Sequence, residues 1–407
     1  MSVLGQLNPK LPIRIYGAGI SGLSLAYYLN KKGQQFELHE VSSKSGGKIQ
    51  TEENEYGLVE QAANAIYTND IVQELIDELE LKTLVVPKNL KKYIYLKNKF
   101  RTWPFGFFET LMIMFKLFKK IPAEATKNTA SVYDFFAPLL GEFHSRETLS
   151  TALQGIYATS SQELHFRSTF KTGDTSKTYL YFLVSYFKSK KKYNKRFGAS
   201  RSISFENGMK EFIKKLTSKI QNKIYYNSSP ELSSDYNNII CTDAFTAGVL
   251  LDKKNQKLSL LLKEITYTPL TSQTIFLKKP LFQLENSFGA LFSLEKNFKL
   301  MGIVNNNALF PKRSKSKIYS YTLIGQQNDL TNELKQLRGY KPENILAAQG
   351  KIWKKAIPIY NVERKMIIDS SKQVLLPGTL LFGNYTGSLS LRELITSAYE
   401  FVEGLKK

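Results

Sequence analysis

The sequence has 407 residues, 42% of them hydrophobic, with 23 Tyr and 26 Phe, which suffices for two or three domains with substantial cores and excludes a disordered chain. One cysteine, Cys241, excludes an internal disulfide framework and suits a reducing compartment, and no window reaches the ~18 unbroken apolar residues of a bilayer-spanning helix. The formal net charge of +22 leaves four readings: nucleic acid, an anionic membrane surface, acidic substrates, or a solvated lysine-rich surface without a partner.

Residues 1–11 lack a basic region followed by an apolar run, so no secretory signal is expected. Pro12 to Tyr16 then reads as a strand, Gly17-Ala18-Gly19-Ile20-Ser21-Gly22 as a glycine turn opening a helix, and Phe36 to Glu40 as a second strand ending in a carboxylate. Each part has a task in holding a dinucleotide. Gly17 permits the tight turn, Gly19 lets the backbone approach a pyrophosphate, and Gly22 lets helix pack on strand. The free N–H groups of the helix start face the phosphate charge, and Glu40, about 20 residues on, is placed for the ribose hydroxyls. The run Glu40 to Gly47, with its glycine pair Gly46-Gly47 before Lys48, resembles the second glycine signature of the FAD-binding amine oxidase superfamily. That resemblance makes FAD the expected cofactor.

Gly57 to Ile66 has the character of a loop returning to the cofactor, and Asp70 to Leu81 of an amphipathic helix capped by Asn69 or Asp70. Lys88 to Arg196 changes character. Its lysines thread between Tyr93, Ile94, Tyr95 and Phe100, and the segment from Trp103 to Lys120 is apolar with flanking cations. It is too short to span a bilayer and fits either an interfacial membrane helix or a helix buried under a substrate domain. Tyr179 to Phe187 runs straight into the polybasic Lys188 to Arg196, the pairing an anionic leaflet attracts. No nucleic-acid motif accompanies it, so nucleic acid is not an expected partner. Ser131 to Phe136 and Leu149 to Phe170 read as helical with a loop at Ala158 to Ser161, Arg201 to Asn207 as a strand, and Gly208 to Leu216 as a helix. Tyr236 to Thr242 is a buried-type strand; Thr271 to Leu277, Gly289 to Leu294 and Lys317 to Gly325 alternate as strands of a mixed sheet over a ligand. Finally Thr379 to Tyr385 forms a strand and turn, and a helix from about Ser390 to Leu405 points its N-terminus at an anionic edge.

The expected class is α/β, α+β overall. A Rossmann-like FAD-binding domain takes 1–87, about 200–260 and about 365–407; a helical basic and aromatic insertion, facing membrane or substrate access, takes 88–199; a substrate-binding sheet domain takes about 261–364.

With these pieces placed, the whole chain resembles the protoporphyrinogen/coproporphyrinogen oxidase family. The similarity runs through Gly46-Gly47-Lys48-Ile49-Gln50-Thr51, the helix at Ser131 to Phe136, the loop Gly155-Ile156-Tyr157-Ala158, and Glu163 to Phe170, which is similar to a family strand. It continues through Ser204 to Met209, Phe288 to Leu291, Leu309-Phe310-Pro311, Ala356-Ile357-Pro358-Ile359-Tyr360 and Gly383-Asn384-Tyr385-Thr386-Gly387. There are departures. Ala62 stands at the family's E-x-G glycine, Asn207 replaces a glycine, and Asn305 lies where an aromatic often lines the substrate slot. Gln50 stands where many protoporphyrinogen-type members carry a propionate-binding arginine and the coproporphyrinogen-type branch tends to have glutamine.

The resemblance implies hydride removal from a porphyrinogen methylene carbon to FAD N5, three times over, with oxygen or another acceptor reoxidising the flavin. It implies a cofactor site of Gly17, Ala18, Gly19, Ile20, Ser21, Gly22, Glu40, Gly46, Gly47, Lys48, Ala62, Gly383, Asn384 and Ser390. Candidate substrate residues are Gln50, Arg101, Gly155, Arg167, Asn305 and Phe310, with Lys48, Arg101 and Arg167 for carboxylates. No side-chain acid/base constellation is found; His39, His144 and His165 are scattered and expected to be structural, and no metal site is expected. The alternatives are another flavin enzyme of this fold, an amine oxidase or carotenoid-type desaturase, and a non-catalytic membrane-docking protein that kept the fold. The expected location is cytoplasmic, peripheral on the inner membrane face if the membrane reading holds. Oligomeric state and the choice of porphyrinogen stay open.

Overall fold

The computed structural model describes residues 3–293, 298–387 and 389–405, so Leu294, the end of one expected strand, lies outside the described residues. Segments distant in sequence meet in a six-stranded sheet, ordered Val3–Leu4, Thr379–Phe382, Asn237–Ile240, Ile13–Tyr16, Phe36–Glu40 and Ile224–Tyr226. All neighbours are parallel except Val3–Leu4, an antiparallel edge. Short apolar strands of this kind belong to a sheet covered on both faces. Alternation sends Ile239, Leu380 and Phe382 into one core and Ile240 and Leu381 into the other. Helices Ile20–Lys31, Met209–Ser218 and Leu391–Glu403 fill the first, and Ala244–Leu251, Gln256–Lys263 and Val362–Val374 the second. Met209, Phe212, Ile213 and Leu216 show how the sequence chooses its face, since their spacing makes one helical stripe and all four are buried. The expected helix after Asn69 spans Asp70–Glu78, and the Asn69 side chain accepts the Val72 N–H at 3.0 Å.

A second, seven-stranded sheet runs Ile345–Pro358, Tyr267–Leu277, Tyr319–Gly325, Leu300–Asn305, Ser287–Phe292, Lys91–Leu96 and Lys99–Arg101. The expected helical stretch 88–199 therefore opens with a β-hairpin. Its turn residues Lys97 and Asn98 have φ of 50° and 60°, as a two-residue hairpin with the right twist needs. Tyr95 and Phe100 pack their rings on Phe292, which fixes the hairpin to the sheet edge.

Helices Phe107–Lys116, Val132–Leu140, Ser150–Tyr157, Phe166–Thr169 and Tyr179–Phe197 form the insertion. Its core is aromatic, with Phe135 stacked on Phe166 at 3.8 Å and Phe182 beside both. Ser131 caps Val132–Leu140 and accepts the Asp134 N–H at 3.0 Å. The segment Glu163 to Phe170, similar to a family strand, is instead a turn and the four-residue helix Phe166–Thr169. The aromatic and polybasic blocks form one 19-residue helix, Tyr179–Phe197. The segment from Trp103 to Lys120 touches the insertion's core through the half-buried Ile113 and Leu117, but no residue of helix Phe107–Lys116 is fully buried, and Phe107 and Phe108 are 79% and 82% exposed. Among the described residues, no helix is long and apolar enough to cross a membrane.

Candidate functional site

The glycine turn sits at the carboxyl end of the central strand Ile13–Tyr16, where ligands bind in open α/β sheets. Two of its glycines are required by the chain itself. Gly17 has φ +99°, and a Cβ on Gly22 would lie 2.0 Å from the Gly17 carbonyl oxygen. Gly19 is different. Its φ of −73° and ψ of 179° suit any residue, and an added Cβ would meet nothing within 4 Å. Helix Ile20–Lys31 begins there without a side-chain cap and without an acidic residue in its first turn, so its first N–H groups stay available to an anion. Glu40, buried at the end of the adjacent strand, accepts the Ala18 N–H at 2.7 Å and the Ser42 N–H at 2.9 Å.

The second glycine pair packs onto the first turn. The Gly46 N–H donates to the Ala18 carbonyl at 2.8 Å, and a Cβ on Gly47 would stand 3.3 Å from the Gly19 Cα. Lys48 then turns inward and its Nζ donates to the Ala356 carbonyl at 2.8 Å. Burial pulls its ammonium down to about 8, against the opposing pull of Asp243. Ala62 is half-buried in the turn after strand Gly57–Glu60; beside it, Gln61 donates its N–H to the Gln50 carbonyl at 2.9 Å and takes the Trp353 indole N–H on its own carbonyl at 2.6 Å. At the C-terminal turn, Gly383 lies at the end of strand Thr379–Phe382 and the Asn384 carbonyl accepts the Tyr360 hydroxyl. Ser390 caps helix Leu391–Glu403 by accepting the Glu393 N–H at 3.2 Å, so that donor of the helix start is satisfied within the chain.

The candidate substrate residues are not gathered in one place. Gln50 stays beside the glycine turns, donating to the Gly47 carbonyl and accepting from Lys351, each at 2.8 Å. Arg101 ends the far edge strand of the seven-stranded sheet. Arg167 is taken up by the Gly173 carbonyl and the Thr175 hydroxyl. Gly155 lies in helix Ser150–Tyr157, where a Cβ would come 3.0 Å from Leu291. Asn305 donates to the Leu284 and Glu285 carbonyls and caps the next short helix through the Ala308 N–H. Phe310 is buried under the Arg313 guanidinium at 4.2 Å.

Sequence reasoning missed two buried arginines. Arg313 forms an ion pair with Glu60 at 3.3 Å and donates to Ser204 and Phe205. Arg364 lies over the Tyr360 ring at 3.9 Å. Neither carried a signal, since Pro-Lys-Arg-Ser and Glu-Arg-Lys both read as solvated surface. The histidines are held locally: His39 by Ser228, His144 by Thr148 and Glu109, and His165 by Ser168 and the Asn128 carbonyl. Among the described residues, no three His, Cys, Asp or Glu could jointly hold a metal ion. A 560 Å³ cavity lies by Asp134, Glu163 and Glu363, and a 310 Å³ one at the amino ends of the parallel strands by Pro12 and Phe36. Neither touches the glycine turns, and the first is carboxylate-lined, unsuited to an anionic ligand.

The open space before Gly19 and the uncapped helix start fit the dinucleotide half of FAD. Residues 20–229 match the family of flavin containing amine oxidoreductases. The chain is 24% identical to protoporphyrinogen oxidase 2 of Arabidopsis thaliana, over 95% of this chain and 92% of that one. It is 29% identical to coproporphyrinogen III oxidase of Staphylococcus aureus, over 53% of each. Among solved structures, reduced UDP-galactopyranose mutase superposes with a TM-score of 0.74 at 13% identity, covering 97% of this chain and 93% of that one. A putrescine oxidase superposes with a TM-score of 0.69 at 10% identity, covering 97% and 98%. These structures share the fold. The chain belongs to the flavin containing amine oxidoreductase family and is an FAD-dependent oxidoreductase.

Proposed function

We propose that the protein oxidises a porphyrinogen, protoporphyrinogen IX or coproporphyrinogen III, to the corresponding porphyrin. The observation that carries this reading is the similarity to a protoporphyrinogen oxidase over 95% of the chain. Gly17 to Gly22, with the helix start behind them, would hold the pyrophosphate; Glu40 would hold the ribose; Gly46, Gly47, Lys48 and the Gly383-Asn384 turn would border the flavin ring. FAD, when bound, supplies the sink for a hydride from a substrate methylene carbon. Full oxidation to the porphyrin removes six electrons and six protons, hence three two-electron rounds, with oxygen or another acceptor taking each electron pair. The chain's own part is position and field, which suits a site without a side-chain acid/base array.

The same reading places the exposed helix Phe107–Lys116 in the interface of an anionic membrane. Phe107, Phe108, Leu111, Met112, Met114 and Phe115 are exposed while Ile113 packs on the insertion's core, and Lys116, Lys119 and Lys120 would meet headgroups. An interfacial entrance suits an apolar, oxidation-prone macrocycle.

The test is turnover. Purified holoprotein is expected to convert protoporphyrinogen IX or coproporphyrinogen III to fluorescent porphyrin well above autoxidation, and to give no peroxide with putrescine. Porphyrin formation at the autoxidation rate for both substrates would sink the proposal.

A further inference from the structure

Arg364, in the first turn of helix Val362–Val374, is 5% exposed. Its guanidinium lies over Tyr360, whose ring meets Tyr157 at 5.4 Å and whose hydroxyl is bound to the Asn384 carbonyl. Nearby, the Lys171 ammonium donates to the Gly387 carbonyl. Arg364 thus stands where the insertion, the end of the long strand Ile345–Pro358 and the C-terminal glycine turn converge.

No described residue answers its charge. Among the described residues, the guanidinium has no hydrogen-bond acceptor and no carboxylate within ion-pair distance, and its Nε is sealed from solvent without a partner. Arg313, buried to the same degree and with its Nε likewise unpartnered, has its charge answered by Glu60 and its Nη2 by Ser204 and the Phe205 carbonyl. The rings beside Arg364 are not counter-charges, because burial pushes Tyr157 up to about 12 and Tyr360 further in the same direction. A buried guanidinium without an acceptor is costly, and its planar fork matches a carboxylate.

We infer that Arg364 receives a carboxylate of the bound substrate and sets a requirement for acidic macrocycles. This rests on the porphyrinogen reading and adds a residue to it. A free inorganic anion presents similar oxygens, so the experiment must separate the two.

Holoenzyme carrying Arg364→Met or Arg364→Lys is compared with wild type for turnover and for binding of coproporphyrin III, its tetramethyl ester and inorganic phosphate. For Arg364→Met, coproporphyrin III is expected to bind at least tenfold more weakly and KM to rise in step. Binding of the ester, flavin content and melting temperature should be unchanged, and Lys should restore part of the loss. Equal losses for acid and ester, loss of flavin, or a fall in melting temperature that Lys reverses would make Arg364 structural and overturn the inference. It would also be overturned if phosphate stabilised wild type but not Arg364→Met without competing with coproporphyrin III, which marks a free-anion site. Wild type that turns over no porphyrinogen sinks the underlying reading as well. Wild-type turnover with an unchanged KM in Arg364→Met sinks only the assignment of Arg364.

Discussion

Gly19 and Gly22 are three positions apart in one motif, and the chain uses them for different ends. At Gly22 a Cβ would drive into the Gly17 carbonyl, so Gly22→Ala is expected to cost at least the ~1–3 kcal/mol of an overpacked site and to lower the melting temperature of the flavin-free protein. At Gly19 the backbone is unstrained and the space is open, so Gly19→Ala should stabilise the flavin-free protein by about 0.4–1 kcal/mol through the unfolded chain while lowering flavin retention. The two readouts are urea unfolding and the flavin-to-protein absorbance ratio; full flavin retention in Gly19→Ala would show that the cofactor does not approach there. Lys48 gives a pH signature. Its folded value of about 8 lies below the 10.5 of an ordinary lysine, so between those values the unfolded chain binds more protons and stability rises with pH. The full shift corresponds to about 3 kcal/mol, and the rise should be seen between pH 8 and pH 10, before buried tyrosines such as Tyr157 reverse the slope. Lys48→Met should flatten that rise in urea titrations.

Elements were legible where one face is buried and hidden where burial comes from a distant partner. The stripe of Met209–Ser218 and the cap at Asn69 are local, and both were readable. The hairpin around Lys97 is hidden in the sequence because lysines occupy its solvent face, while its ring contacts to Phe292 lie far away in sequence. The 14-residue strand Ile345–Pro358 escaped for the same reason: it is a sheet edge, exposed at Ala348, Gly350, Ile352 and Lys354. In the candidate site, the glycine turns and Glu40 were readable because their spacing is the signal, whereas Asn305 and Arg167 find their partners only once the chain has folded. Helix Phe107–Lys116 carries the element-scale prediction. None of its residues is buried, so Phe107→Ser, Phe108→Ser and Phe115→Ser together should leave the melting temperature unchanged. On an anionic liposome each buried Phe contributes about 1.5–3 kcal/mol, so co-sedimentation of the triple variant should weaken by at least tenfold. A large fall in melting temperature would mean that these three rings, like Ile113, pack on the protein instead.

At the scale of the whole molecule, segments distant in sequence are joined by charge as well as by apolar contact. Glu60 ends strand Gly57–Glu60; Arg313 follows the short helix Asn306–Leu309, which continues from strand Leu300–Asn305 of the seven-stranded sheet; the pair closes at 3.3 Å with both side chains about 95% buried. Thr51 and the Met209 N–H donate to Glu60, and Ser204 and the Phe205 carbonyl accept from Arg313, so one cluster ties four chain segments together. No sequence pattern announces it, because the partners are brought together only by the fold. Removing one partner leaves the other charge stranded, so Arg313→Met is expected to cost about 3–5 kcal/mol. Burial already raises the Glu60 carboxyl above its ordinary value, with Arg313 as the main opposing influence, and loss of Arg313 should raise it further. A carboxyl raised in the folded state binds its proton more readily there than in the unfolded chain, so the variant recovers stability as pH falls through that folded value. Urea unfolding of wild type and Arg313→Met from pH 8 down to pH 5.5 should therefore show a gap that narrows with acid. A second substitution, Glu60→Gln, should remove most of that pH dependence in the Arg313→Met background, whereas a constant gap would assign the loss to packing against Phe310 rather than to charge.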